Sequence, residues 1–373
     1  MDIGTCTFRQ MKIRMDDRAA EKDGPLFSAC GARRKFLASL GALGAAAAVP
    51  EAFLLAQSPP AVPVRPYRID THNHFSAPGF IAAIAARKTN QRPLELWTPA
   101  KAIEDMDKSG VATSMVSTSE PSVWFGDEEA ARKLARECNE LGARLMADHP
   151  GRFGMFTTIP LPDVDGSLRE IEYSQDTLKA DGVCLMTSYQ GKYPSDPVFE
   201  PVMKELNRRK AVVFLHPVKA DCCKDLQPEL APALIELGTE TTRAIASLIL
   251  DGTTARYPDI RFIFSHGGGT MPYLMTRFAA LAARPDIAQR LPKGLLYEVR
   301  KIYYDTASLY GPYPWPTLLK LAPVSHILFG TDFPFMSAGE VAKGLSEVGL
   351  KASDLHAIER ENALELFPRL KNS

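Results

Sequence analysis

From Arg68 onward, short apolar runs rich in β-branched residues alternate with longer segments of helical period, and this alternation limits the possible folds more than any other feature. The strand candidates are Arg68 to Asp70, Val111 to Ser117, Gly154 to Ile159, Gly182 to Met186, Ala211 to His216, Ile260 to Ser265, Lys301 to Asp305 and His326 to Gly330. Helical segments fall between them, at Pro99 to Lys108, Asp127 to Ala147, Val164 to Lys179, Val198 to Arg209, Thr239 to Asp251 and Met271 to Ala283. Runs such as Ala211-Val212-Val213-Phe214-Leu215 have no polar face, as expected of strands covered on both sides in a parallel sheet. Eight such units predict an α/β fold of the (β/α)8 TIM-barrel type, with a doubly wound open sheet as the alternative.

Residues 1–65 differ in composition. Arg33-Arg34-Lys35-Phe36-Leu37 precedes an Ala/Gly-rich run from Ala38 to Val49, and Pro50-Glu51 breaks it. The pattern is that of a twin-arginine export leader, with a start at Met11 or Met15 and cleavage after Ala48 or Ala56 as the options. It is too short to span a membrane, which takes about 20 apolar residues. The expected organisation is a leader and linker over 1–65 and one catalytic domain over 66–373, periplasmic if the leader works and cytoplasmic otherwise.

Lys+Arg and Asp+Glu each number 44, and no basic stripe with interleaved aromatics is present, which argues against a nucleic-acid partner. Past the leader the cysteines are Cys138, Cys184, Cys222 and Cys223, without a Cys-x-x-Cys zinc pattern. The adjacent Cys222-Cys223 could oxidise in the periplasm, although two ordinary loop thiols is the simpler reading.

The histidines are the informative residues. In a barrel the active site forms at the carboxyl ends of the strands. His72 and His74 follow the first strand, His216 ends the fifth, His266 the sixth and Asp332 the eighth. His149, His326 and His356 lie elsewhere and are expected to be structural. Three imidazoles and a carboxylate suit one divalent ion, zinc first and manganese as the alternative, so His72, His74, His216 and Asp332 are the candidate ligands. His266 remains as a proton carrier. Gly267-Gly268-Gly269 leads into a helix beside it, which suggests backbone N–H groups facing a substrate carboxylate, with Arg277 as a bidentate partner. Trp97, Trp124, Phe125, Tyr189, Tyr310, Trp315 and Phe333 lie near strand ends or in loops, where an aromatic substrate could stack.

Ile69-Asp70-Thr71-His72-Asn73-His74, Phe214-Leu215-His216-Pro217, Phe264-Ser265-His266-Gly267-Gly268-Gly269, Tyr303-Tyr304-Asp305-Thr306-Ala307 and Leu328-Phe329-Gly330-Thr331-Asp332-Phe333-Pro334-Phe335 together resemble the amidohydrolase-related family typified by aminocarboxymuconate semialdehyde decarboxylase. Thr241-Thr242-Arg243 followed by Tyr257-Pro258-Asp259-Ile260-Arg261-Phe262 is similar to its 6-methylsalicylate and salicylate decarboxylase-like branch. The resemblance implies metal-dependent, non-oxidative loss of CO2 from a small aromatic or unsaturated acid, without an organic cofactor. It carries the ligand role onto His72, His74, His216 and Asp332 and the catalytic role onto His266. It also implies a homodimer in which Arg277 reaches the neighbouring site. In the expected mechanism either Asp332 or His266 delivers the proton. The same site would also serve hydrolysis of a lactone or amide, and a non-catalytic exported metal-binding protein is the third reading.

Overall fold

The computed structural model describes residues 66–87, 91–223 and 229–372. The expected export leader, with its paired arginines, lies outside the described residues.

Eight parallel strands follow one another in sequence order around the sheet. They are β1 (Arg68–His74), β2 (Val111–Ser117), β3 (Phe153–Thr158), β4 (Gly182–Met186), β5 (Val212–His216), β6 (Arg261–Phe264), β7 (Tyr303–Asp305) and β8 (Ile327–Leu328). Their covering helices are α1 (Pro99–Ser109), α2 (Glu128–Asp148), α3 (Val164–Asp176), α4 (Glu200–Arg208), α5 (Pro232–Leu250), α6 (Met271–Ala282), α7 (Trp315–Leu321) and α8 (Ala338–Glu347). The open doubly wound alternative is excluded by the return of the eighth strand to the first. Thr71 N donates to Phe329 O at 2.8 Å, Asp332 N to His72 O at 2.8 Å and His74 N to Phe333 O at 2.7 Å.

Local chemistry sets the helix ends. Thr98 caps α1 by accepting from Lys101 N, Pro99 follows at the first turn, and Gly110 closes it at φ 67°. Asp127 and Asp163 cap α2 and α3 in the same way, and Ser337 with Glu340 forms a reciprocal capping box at α8. The barrel interior is filled by large side chains; Phe156 and Phe214, both essentially buried, stack with ring centroids 5.3 Å apart.

Three boundaries differ from those expected from sequence by three residues or more. β1 continues past Asp70 to His74, so the two histidines lie in the strand rather than after it, and its register against β2 shifts between Asp70 and Asn73. α5 begins at Pro232, seven residues before Thr239, because a proline at the first turn starts a helix readily. α3 ends at Asp176 rather than Lys179, which is left-handed at φ 61°. No described helix is long and apolar enough to cross a membrane.

Candidate metal centre

Strand ends bring the predicted ligands to one rim. His72 and His74 come from β1, His216 from the last position of β5, and Asp332 from the turn after β8, where its φ is 67°. Each offers one ligand atom, and the four atoms lie within 4.8 Å of one another. His72 and His74 are fully buried and the Asp332 side chain is 20% exposed, so the cluster opens toward solvent on the Asp332 side. Spacings inside it are short. His72 Nε2 is 3.2 Å from His74 Nε2, and Asp332 Oδ1 is 3.0 Å from His74 Nε2 and 3.3 Å from His72 Nε2.

The other edge of each β1 imidazole is held by the protein. His72 Nδ1 lies 2.8 Å from Asp305 Oδ2, and His74 Nδ1 lies 3.3 Å from the Ser117 carbonyl. With those nitrogens donating, both Nε2 atoms face the centre, which is the orientation that carboxylate and carbonyl partners impose on metal-binding histidines. Asp305, at the end of β7, also accepts from His266 N at 2.8 Å and Ala307 N at 3.1 Å. Asp305 belongs to the Tyr303-Tyr304-Asp305-Thr306-Ala307 stretch, which by itself assigns it no role. A carboxylate at a strand's carboxyl end was the available signal.

Asp70 ties the rim together. Its two oxygens accept from His72 N, Asn73 Nδ2, Thr331 N and Thr331 Oγ1 at 2.7 to 3.1 Å, joining the turn before Asp332 to the strand that carries both histidines. Burial pushes its carboxyl up to about 6, against the pull of those donors.

The electrostatics fit a cation. Burial holds the His74 imidazole below its ordinary value, and burial with the neighbouring imidazoles holds His216 well below it, so both are neutral donors at neutral pH. Burial would raise Asp332, but the charge on His72 and polar contacts from His266, His72 and His74 keep it ionised, well below the usual carboxylate range. Burial also opposes charge on His72, yet the Asp305 and Asp332 carboxylates overcome it and push its pKa up to about 10. His216 Nδ1 and Asp332 Oδ1 are buried without an aligned hydrogen bond, despite the short contacts of the latter. Unpaired buried acceptors, facing ring nitrogens and a site that retains a proton for charge balance all suit a divalent ion with three nitrogen ligands and one oxygen.

A prediction follows from the proton on His72. Below a pKa of about 10 the metal-free site is protonated there, whereas His74, His216 and Asp332 have no proton to lose. Metal uptake should release close to one proton, and apparent affinity should rise about tenfold per pH unit between pH 7 and 9. Calorimetric titration in buffers of differing ionisation enthalpy measures it, and an affinity independent of pH would contradict it.

His266 sits beside the ligands at φ 55°, with Nε2 3.4 Å from Asp332 Oδ2. The glycines that follow shape a tight turn that uses part of its own N–H donors. The N–H groups of His266, Gly268, Gly269 and Thr270 donate to Asp305 Oδ1, Ser265 O, His266 O and Thr242 Oγ1. Gly267 and Gly268 have φ of 60° and 78°, and a Cβ at Gly267 would stand 2.6 Å from Leu309 Cδ2. Of the two glycines expected to form an N–H cradle, Gly268 thus gives its N–H to the turn itself. Arg277 is exposed on α6 and has no hydrogen bond or ion pair to the cluster.

A cavity of about 610 Å³ lies on the same rim, beyond the ends of β2, β4 and β5. Trp124, Met186, Tyr189 and Val218 supply apolar wall, and Gln91 and Glu120 supply polar atoms. Burial raises the Glu120 carboxyl, the Lys219 backbone N–H that it accepts pulls it back, and the Asp332 charge adds to the rise. Of the other aromatic candidates, Trp315 is buried with its Nε1 donating to Leu309 O, whereas Trp97 and Phe333 line a separate groove.

The amidohydrolase family profile matches residues 69–369. The decarboxylase yanB of Aspergillus niger is 35% identical over 328 residues, covering 82% of this chain and 88% of that protein. The 6-methylsalicylic acid decarboxylase of Penicillium expansum is 34% identical over 317 residues, covering 82% and 97%. Among solved structures, a dihydroxybenzoic acid decarboxylase from Polaromonas sp. JS666, with bound manganese and 2-nitroresorcinol, superposes with a TM-score of 0.71 at 22% identity, over 81% of this chain and 97% of that one.

Proposed function

The chain belongs to the amidohydrolase family, and from that premise we propose that it is a metal-dependent, non-oxidative decarboxylase of a small aromatic acid of the ortho-hydroxybenzoate type. The observation that carries the reading is the buried cluster of His72, His74, His216 and Asp332 with a further histidine, His266, at its open edge. Decarboxylating relatives at 34–35% identity support it.

A divalent ion held by the four ligands would supply a positive charge for the substrate's carboxylate and ortho oxygen. The chain's residues do the rest. Trp124, Tyr189, Met186 and Val218 hold a ring against the rim and keep water from it. His266 holds the proton that the ring carbon takes as CO2 departs with the broken bond's electrons left on the ring. Asp332, the other proton-carrier candidate, is kept ionised by its surroundings and serves as ligand and as acceptor toward His266 Nε2. Zinc suits the donor set, and the manganese of the Polaromonas neighbour supports manganese. Metal analysis of the purified chain decides between them.

The test is CO2 release by the chain lacking residues 1–65, reconstituted with zinc or manganese, from a panel of ortho-hydroxybenzoates and unsaturated keto acids. Release abolished by chelator is the expected result. No release from any acid at stoichiometric metal overturns the reading and favours lactone or amide hydrolysis, or metal binding without catalysis.

Two further readings are proposed. Residues 1–65 act as a twin-arginine export leader, on the strength of Arg33-Arg34 and the mild apolar run behind it, and fusion of this segment to a reporter tests it. The chain forms a homodimer through α6, whose Tyr273 is 82% exposed, with exposed Arg277 on the same helix reaching the neighbouring site to pair with the substrate carboxylate. Light scattering on the chain and on Arg277→Ala separates assembly from substrate binding.

A further inference from the structure

The segment after β5 that lines the cavity through Asp221 continues into a pair of thiols that decarboxylation does not use. Asp221–Cys223 is a single 3₁₀ turn in which Cys222 is exposed, Cys223 is buried, and their Sγ atoms lie 2.8 Å apart. Asp221 and Lys219, immediately before them, line the cavity. The spacing, with one sulfur exposed and the other buried behind it, suits thiol–disulfide exchange with an external disulfide; the contact with Cys223 holds the Cys222 thiol above its ordinary value, which slows the exchange. The other described cysteines cannot compete. Cys138 and Cys184 are buried, and burial pushes their thiols up, that of Cys184 to about 12.

The pair is connected to a second cavity wall. Arg243, from the Thr241-Thr242-Arg243 motif on α5, donates to Cys223 Sγ at 3.7 Å and to Glu240 Oε2 at 3.0 Å. Glu240 is fully buried and accepts from the hydroxyls of Ser188, at 2.9 Å, and Tyr193, at 3.2 Å. Ser188 lines the cavity after β4. A change at Cys223 therefore reaches the cavity both through its own turn and through Arg243, Glu240 and Ser188.

We propose that Cys222 and Cys223 form a reversible dithiol–disulfide site, oxidised by small-molecule disulfides such as oxidised glutathione, whose state sets substrate affinity in the adjoining cavity. Exposed Cys222, once deprotonated, attacks one sulfur of the disulfide and expels a thiolate that takes up a proton. Cys223 then loses its proton and attacks Cys222 Sγ, expelling the second thiolate. Two protein thiols are oxidised and one external disulfide is reduced to two thiols. Neighbouring Cα atoms are about 3.8 Å apart, less than disulfides prefer, so the bond is strained and easily reduced, as a switch requires and a structural staple does not. Closure must rearrange the 221–223 turn and removes the thiol that Arg243 contacts.

The link to affinity rests on the proposed decarboxylation; the chemistry of the site does not. Trypsin cuts after Lys219 and Lys224, so the five-residue peptide Ala220-Asp221-Cys222-Cys223-Lys224 isolates the pair from every other cysteine. The full chain is equilibrated in glutathione buffers of graded potential, alkylated and digested. The expected result is that this peptide loses two hydrogens under oxidising buffer and regains them with dithiothreitol, while Cys222→Ser prevents the loss. A peptide that stays fully alkylated, or that ends as a persistent glutathione adduct, overturns the proposal whatever the enzyme's activity. In the same samples KM should rise several-fold on oxidation with kcat held, because the ligands and His266 are untouched, and Cys222→Ser should be insensitive. A disulfide that forms without any change in KM overturns the coupling to the cavity.

Discussion

His216→Ala should leave a folded chain that no longer gains stability from its divalent ion and releases CO2 at least about three orders of magnitude more slowly. The ligand is lost from the middle of the rim, where His216 is nearly enclosed and meets His74 and His72 edge to face at centroid distances of 4.6 and 5.3 Å. Two histidines and Asp332 would remain, a set that holds the ion much more weakly than the four donors this rim was shaped around. In the metal-free chain the substitution should cost little, because the His216 Nδ1 that it removes is buried without a hydrogen-bond partner, a condition that itself costs about 1–3 kcal/mol. Thermal denaturation with and without metal separates the two effects. Metal at about a thousand times its Kd should stabilise the unsubstituted chain by about 4 kcal/mol and the variant by almost nothing. A variant that keeps both the metal-induced shift in Tm and the rate would remove His216 from the ligand set.

Asp305→Asn is the second large effect, and it acts without touching the ion. The carboxylate orients the His72 ring through Nδ1 and holds His266 through its backbone N–H. An amide can accept from one of these donors, but it lacks the charge that favours His72 as donor. Metal affinity should fall about 10–100-fold, the usual result of removing a carboxylate behind a ligating histidine. Activity should stay depressed even at saturating metal, because the single amide oxygen cannot serve both the His72 ring and the His266 backbone. A pH profile identifies the role. Without Asp305 one of the two charges that favour protonated His72 is gone, its pKa falls from about 10, and the rise of metal affinity with pH should level off at a lower pH than in the unsubstituted chain. An unchanged profile with lower affinity would mean that Asp305 only supports the fold.

The candidate ligands were legible in the sequence because a parallel barrel sends every strand's carboxyl end to the same rim. Once Ala211 to His216 and Ile260 to Ser265 read as strands, His216 and His266 had to share that rim with His72, His74 and Asp332. The glycines after His266 were a weaker guide. Gly-Gly-Gly before a helix reads as an anion cradle, but the turn it forms gives the Gly268 and Gly269 N–H groups to Ser265 O and His266 O, and its ends are fixed by Asp305 and Thr242, each distant in sequence. The extent of β1 was missed for a related reason, since its continuation through His74 depends on hydrogen bonds to the Phe329–Phe333 segment at the far end of the chain.

What the sequence determined by itself was the order of the elements and the chemical kind of the site, because apolar periodicity and side-chain type are local properties of the chain. What only the tertiary structure decided was the pairing of His72 with Asp305, 233 residues apart, the closure of the rim by Asp70 and Thr331, and the cavity wall that brings Cys222 and Cys223 beside it. These are contacts between residues that meet only when the barrel closes. Their energies come from burial and from fixed hydrogen-bond geometry, and neither exists in an open chain.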